Sequence, residues 1–72
     1  MIVRIKNKAY HMSRTAANAV LDVAKENVKK GVYAVEKQNQ IELLNIECKS
    51  SAELKRLKDT YKKSGFKVYA NE

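Results

Sequence analysis

The sequence predicts an α+β domain whose elements run strand, helix, strand, strand, helix, strand. Three observations carry that order. Two segments place apolar residues at helical spacing, each opened by a serine and followed by a glycine. Four segments read as strands, the first and last by alternation of apolar and polar residues with a period of two, the middle two as β-rich runs. Short polar breaks separate the segments, too short for linkers between domains.

Val3 and Ile5 alternate with Arg4 and Lys6 and open the chain as a strand. Residues 7–12 break that alternation and read as a connection. Ser13 is placed to cap a first helix over about 13–30, with Ala17, Val20, Leu21, Ala24 and Val28 as its apolar stripe. Lys29 and Lys30 suit the negative end of the helix dipole, and Gly31 is the expected closing residue. Val32–Lys37 and Ile41–Lys49 are β-rich and flank Gln38-Asn39-Gln40, a hairpin with Asn39 as turn residue. In the second of these strands Leu44, Ile46 and Cys48 share one face, and Leu43, Asn45 and Glu47 the other. Ser50-Ser51-Ala52-Glu53 fits a capping box for a second helix over about 51–64. Leu54, Leu57 and Tyr61 mark its buried side, and Gly65 ends it. Phe66, Val68 and Ala70 alternate with Lys67 and Tyr69 as the last strand.

Each half therefore runs from a serine-capped helix to a glycine and a strand. Those strands share a tripeptide, Val32-Tyr33-Ala34 and Val68-Tyr69-Ala70. Right-handed crossovers interleave two such βαβ units into a two-layer βαββαβ, ferredoxin-like fold, an antiparallel sheet with both helices on one face. The segment Ser50–Glu53 through Gly65–Tyr69 resembles the last helix and strand of the sporulation-related repeat domain, which binds cell-wall glycan. Cys48-Lys49 stands where that family has a glycine-proline-phenylalanine-like turn. The element order is also similar to that of the RNA-recognition motif. That motif's third strand carries base-stacking aromatics, whereas Ile41–Glu47 has none. No functional residue carries over from either family.

Composition narrows the function classes. Seventy-two residues form one small basic domain, 1–72, near the lower size limit for folding alone. Cys48 is the only cysteine, so packing alone holds the fold, without an internal disulfide or a structural zinc. No apolar run matches a signal peptide or a membrane span, which makes the cytoplasm the expected compartment and excludes membrane insertion. His11 and Cys48 are the sole pair able to form a nucleophilic dyad, but Cys48 belongs to an apolar strand face and His11 to a connection. Carboxylates are dispersed, and no glycine-rich loop cradles a nucleotide. The expectation is a protein that is no enzyme and has no cofactor or metal.

The charge is informative. Fifteen Lys/Arg against eight Asp/Glu leave +7. The first acid is Asp22, after Arg4, Lys6, Lys8 and Arg14. On the second helix Lys55, Lys58 and Lys62 form a row beside the apolar stripe, whereas Asp22 and Glu26 balance the lysines of the first helix. If the sheet has an open face, it shows Arg4, Lys6, Lys67 and Tyr69, cations interleaved with an aromatic. Two readings follow. In the first, DNA or RNA is held mainly by phosphate neutralisation through Arg4, Lys6, Lys55, Lys58, Lys62, Lys67 and Tyr69. In the second, the chain is a protein-interaction module, a homodimer through the open sheet face or an adaptor or inhibitor docking an acidic partner.

Overall fold

The computed structural model describes all residues, Met1–Glu72. β1 (Ile2–Ile5) and β2 (Lys8–His11) form an N-terminal hairpin, and α1 spans Arg14–Asn27. β3 (Gly31–Lys37) and β4 (Gln40–Glu47) form a second hairpin, α2 spans Ser51–Lys63, and β5 covers Lys67–Asn71. The α+β class and both helices are as the sequence indicates, but the sheet is mixed and has five strands, ordered β2-β1-β4-β3-β5. Residues 7–12 are not a plain connection, because β2 lies within them. Lys6 takes a φ of 57° at the turn, and Ile5 then pairs with Lys8 and Ile2 with His11. All four β2 residues are exposed, so the pairing left no buried alternation to read.

The ferredoxin-like arrangement is corrected on both topology and layers. β1 runs parallel to β4, and β3 lies antiparallel to both β4 and β5. Chaining these pairings makes β2 parallel to β3 and β4 parallel to β5, so β2-α1-β3 and β4-α2-β5 are the two crossovers. In the ferredoxin-like order the last strand returns beside the first. Here β5 continues outward to the free edge of β3. Both crossovers travel the same way across the sheet while their strands point in opposite directions. Right-handed connections then place α1 and α2 on opposite faces.

Two separate cores show the same thing. Ala17, Leu21, Ala24 and Val28 pack with Val3, Tyr33, Ala34 and Ile41, with Leu43 and Tyr69 beside them. Leu54 packs with Val32, Val35 and Cys48, with Leu44, Leu57, Tyr61, Val68 and Ala70 around it. Neighbours in sequence such as Leu43 and Leu44, or Val68 and Tyr69, fall into different cores, as strand alternation requires. The register slips between Val32 and Ala34: against β5 the extra residue is Tyr33, whereas against β4 the extra residue lies on β4, where Leu44 and Asn45 stand opposite Tyr33. The two echoed tripeptides therefore lie in neighbouring strands, with the Tyr33 and Tyr69 rings 6.1 Å apart.

Helix ends follow from local chemistry, with two departures from expectation. Ser13 Oγ accepts from Ala16 N at 3.2 Å and Ser50 Oγ from Glu53 N at 3.2 Å. Only the serine half of the expected capping box forms, since the Glu53 carboxylate is not bonded to Ser50 N. α1 stops at Asn27 and Gly31 is the first residue of β3, so neither the 13–30 span nor a closing role for Gly31 holds. Side chains from the sheet close α1 instead. The Glu47 carboxylate accepts from Lys29 N and Lys30 N, and the Asn71 amide donates to the carbonyls of Lys25 and Val28. α2 ends at Gly65, φ 88°, in a Schellman motif. Phe66 N donates to Tyr61 O, Gly65 N donates to Lys62 O, and the Phe66 ring meets Tyr61 edge-on at 5.8 Å.

Candidate nucleic-acid interface

The seven predicted binding residues do not share a surface, because no face of the sheet is left without a helix. Arg4 is exposed on β1 and points to the α2 side, where it lines a shallow cleft with Lys37, Gln40, Glu42 and Phe66. Lys6 sits in the β1–β2 turn and lines a cleft on the α1 side. Lys67 and Tyr69 lie on β5 and face α1. Lys55, Lys58 and Lys62 stand together on α2.

Tyr69 is not a free stacking platform. Its ring packs against the α1 core, with Tyr33 beside it and Lys67 Nζ 5.1 Å from the ring centroid. Its hydroxyl donates to Glu36 Oε1 at 2.7 Å, and Glu36 Oε2 accepts from Arg14 Nη1 at 3.1 Å. This triad ties the start of α1 to β3 and β5. Burial pushes the Glu36 carboxyl up, but the hydrogen bonds from Tyr69 and Arg14, with the charges of Arg14 and Lys67, outweigh it and hold the group below its ordinary 4.5. A carboxyl lowered in the fold stabilises above its unfolded pKa and loses that contribution as pH falls. Glu36→Gln is therefore expected to destabilise by about 1–2 kcal/mol at neutral pH, the Arg14 share being reduced by its exposure. The difference should start to shrink as pH falls through the ordinary 4.5 and should close once pH is below the lowered folded value. Urea titrations at neutral and acid pH check this. An equal deficit at both would assign the effect to shape instead of charge.

The α2 row keeps two of its three cations, Lys55 and Lys62, exposed and unpaired. Core contacts of Leu54, Leu57 and Tyr61 orient the helix, which puts Lys55, Lys58 and Lys62 on the flank toward β5. Lys58 Nζ reaches the Glu72 carboxylate, just beyond β5, at 3.1 Å. Glu53 lies on the other flank, close enough to Cys48 for its charge to help raise the thiol pKa. Between residues 49 and 63 stand Lys49, Lys55, Arg56, Lys58, Lys62 and Lys63, and only Lys58 has a carboxylate partner. Seven residues of helical rise separate Lys55 from Lys62 by roughly 10 Å, with Lys58 between them. The spacing of the sequence marks this row, but places Lys37 with the open sheet face and not beside α2. Lys37 Nζ donates to Ser64 O at 2.9 Å, lies 5.2 Å from the Phe66 ring, and adds a charge at the C-terminal end of α2.

Comparison with known protein families, curated proteins and solved structures finds no match. His11 pairs with Ile2 at one end of the sheet, and Cys48 follows the last residue of β4 at the other, so they form no dyad. Burial is the main cause pushing the Cys48 thiol up, which disfavours the reactive thiolate. No helix is long and apolar enough to cross a membrane.

Proposed function

We propose that the chain is a small non-enzymatic nucleic-acid-binding protein that neutralises a phosphate backbone with the exposed flank of α2. The observation that carries this reading is the Lys49–Lys63 segment, where five cations are exposed and unpaired and the sixth, Lys58, is half-buried and pairs with Glu72. Lys37 and Arg4 on the same side of the sheet extend the positive surface. Base stacking is not part of the proposal, since Tyr69 and Lys67 lie across the sheet and Tyr69 is engaged with Glu36. Recognition through phosphate carries little sequence information.

The test is fluorescence anisotropy with labelled DNA and RNA at several salt concentrations. Affinity should fall steeply as salt rises, because each neutralised phosphate adds roughly 0.7–0.9 to the logarithmic slope. Lys55→Gln with Lys62→Gln should lower that slope by about 1.4–1.8, and unrelated sequences should bind alike. No binding to any nucleic acid at low salt, or an unchanged slope in the double variant, would overturn the proposal.

A further inference from the structure

The two large hydrophobic side chains that stand exposed, Val23 (61%) and Tyr10 (44%), belong to the same side of the sheet. Tyr10 pairs with Val3, whose side chain packs in the α1 core, so Tyr10 points to the α1 side. α1 lies over β3 and β4 and reaches β1 at Val3, but leaves β2, all of whose residues are exposed, without a helix on that side. Between helix and hairpin runs an open cleft of about 710 Å³, with Ile5 and Leu43 on its floor, Val20 and Val23 on the helix wall, and Lys6 at its rim.

The helix wall has the pattern of a helix-packing seam. Ala16, Ala19, Val20 and Val23 recur at i, i+3, i+4 and i+7, a second apolar stripe beside the one buried against the sheet. Ala16 and Ala19 are exposed and small, which lets a second helix axis approach closely.

Charge identifies the occupant. The outward surface of α1 carries Asp22 and Glu26, and the uncovered hairpin carries Lys6 and Lys8; none of the four is in an ion pair. One face thus presents two unpaired carboxylates of α1 beside two unpaired lysines of the hairpin, a pairing that a two-fold rotation can satisfy twice. We infer that a second copy of this chain docks on the α1 face, with the two α1 helices lying antiparallel and side by side between the two sheets. Each α1 covers its own β3 and β4 and the partner's β1–β2 hairpin. Val23 enters the partner's cleft, and Asp22 and Glu26 lie over the partner's Lys6 and Lys8. α2 is on the other side of each sheet, so the dimer displays a basic flank on each outer surface.

Sedimentation equilibrium across the micromolar range tests this. The wild-type chain should show twice the monomer mass. Val23→Glu should weaken association at least tenfold while keeping the wild-type circular dichroism spectrum, since Val23 is exposed in the single chain. Lys6→Glu/Lys8→Glu and Asp22→Lys/Glu26→Lys should each be monomeric alone, because each pairing becomes like with like. Mixed together, the two charge variants should recover the dimer mass, as both interfacial pairings are then opposite in sign. A monomeric wild type would overturn the inference. So would a Val23→Glu variant that stays dimeric, or a mixture of charge variants that stays monomeric.

Discussion

Gly31→Ala is expected to leave little folded protein at room temperature. A Cβ at this position would stand 1.8 Å from the Ile46 carbonyl oxygen, 2.9 Å from its carbon and 3.1 Å from Glu47 Cα. All three are backbone atoms of β4, the middle strand, at the end that pairs with β3 through Gly31↔Glu47 and Val32↔Ile46. β4 cannot retreat there without giving up those pairings. Gly31 cannot move either, since it pairs with both Glu47 and Asn71, and Lys30 O just before it accepts from Cys48 N at 2.8 Å. Overpacking against side chains costs about 1–3 kcal/mol, and a clash with fixed backbone should exceed that range. A domain of this size has roughly 4–11 kcal/mol in total at 0.05–0.15 kcal/mol per residue. Gly65→Ala provides the contrast. Its φ of 88° is unfavourable for alanine, but the nearest atoms are the end of the Lys37 side chain at 3.5 and 3.6 Å, which can swing away. That change should cost about 1 kcal/mol. Urea titration followed by circular dichroism separates the two. Equal midpoints for Gly31→Ala and the wild type would show that β4 tolerates displacement there.

What was legible in the sequence was what local chemistry determines. Ser13 and Ser50 cap their helices, Gly65 ends α2, and the hairpin at Gln38-Asn39 forms with φ of 53° and 62°, the two positive values of a type I′ turn. The period-two pattern of β4 was also legible, and Leu43 and Leu44 do point to opposite faces. Long-range facts were not. The end of α1 is set by Glu47 and Asn71, which lie on other strands, and Lys29 and Lys30 gave no hint that their amides would bond a carboxylate. β2 escaped notice because an exposed edge strand buries nothing. The layer error had one source, the assumption that β5 would return beside the first strand. Apolar residues on both faces of β4, Ile41 and Leu43 against Leu44, were the available signal that both faces are covered. That coverage is why Arg4, Lys67 and Tyr69, grouped on an open face by sequence, are split between the two sides.

Leu54→Ala is expected to cost about 2–5 kcal/mol, because Leu54 is 1% exposed and anchors α2 in a core of only four buried residues. Leu21→Ala in the α1 core should cost toward the lower end of the same range, its side chain being 7% exposed. The two costs should be independent. Leu21 packs with Val3, Tyr33 and Ile41, Leu54 packs with Val32, Val35 and Cys48, and the sheet lies between them with no partner in common. Two alanines together would remove most of the stability, so the coupling is better read with valine. Leu21→Val and Leu54→Val should each cost about 1 kcal/mol and add within about 0.5 kcal/mol in the double variant. Were both helices on one face, the two leucines would share packing partners, and a coupling of about 0.5–3 kcal/mol would appear. Urea titrations of the wild type, the two single variants and the double variant give this coupling directly. A value above about 1 kcal/mol would contradict the placement of α1 and α2 on opposite sides of the sheet.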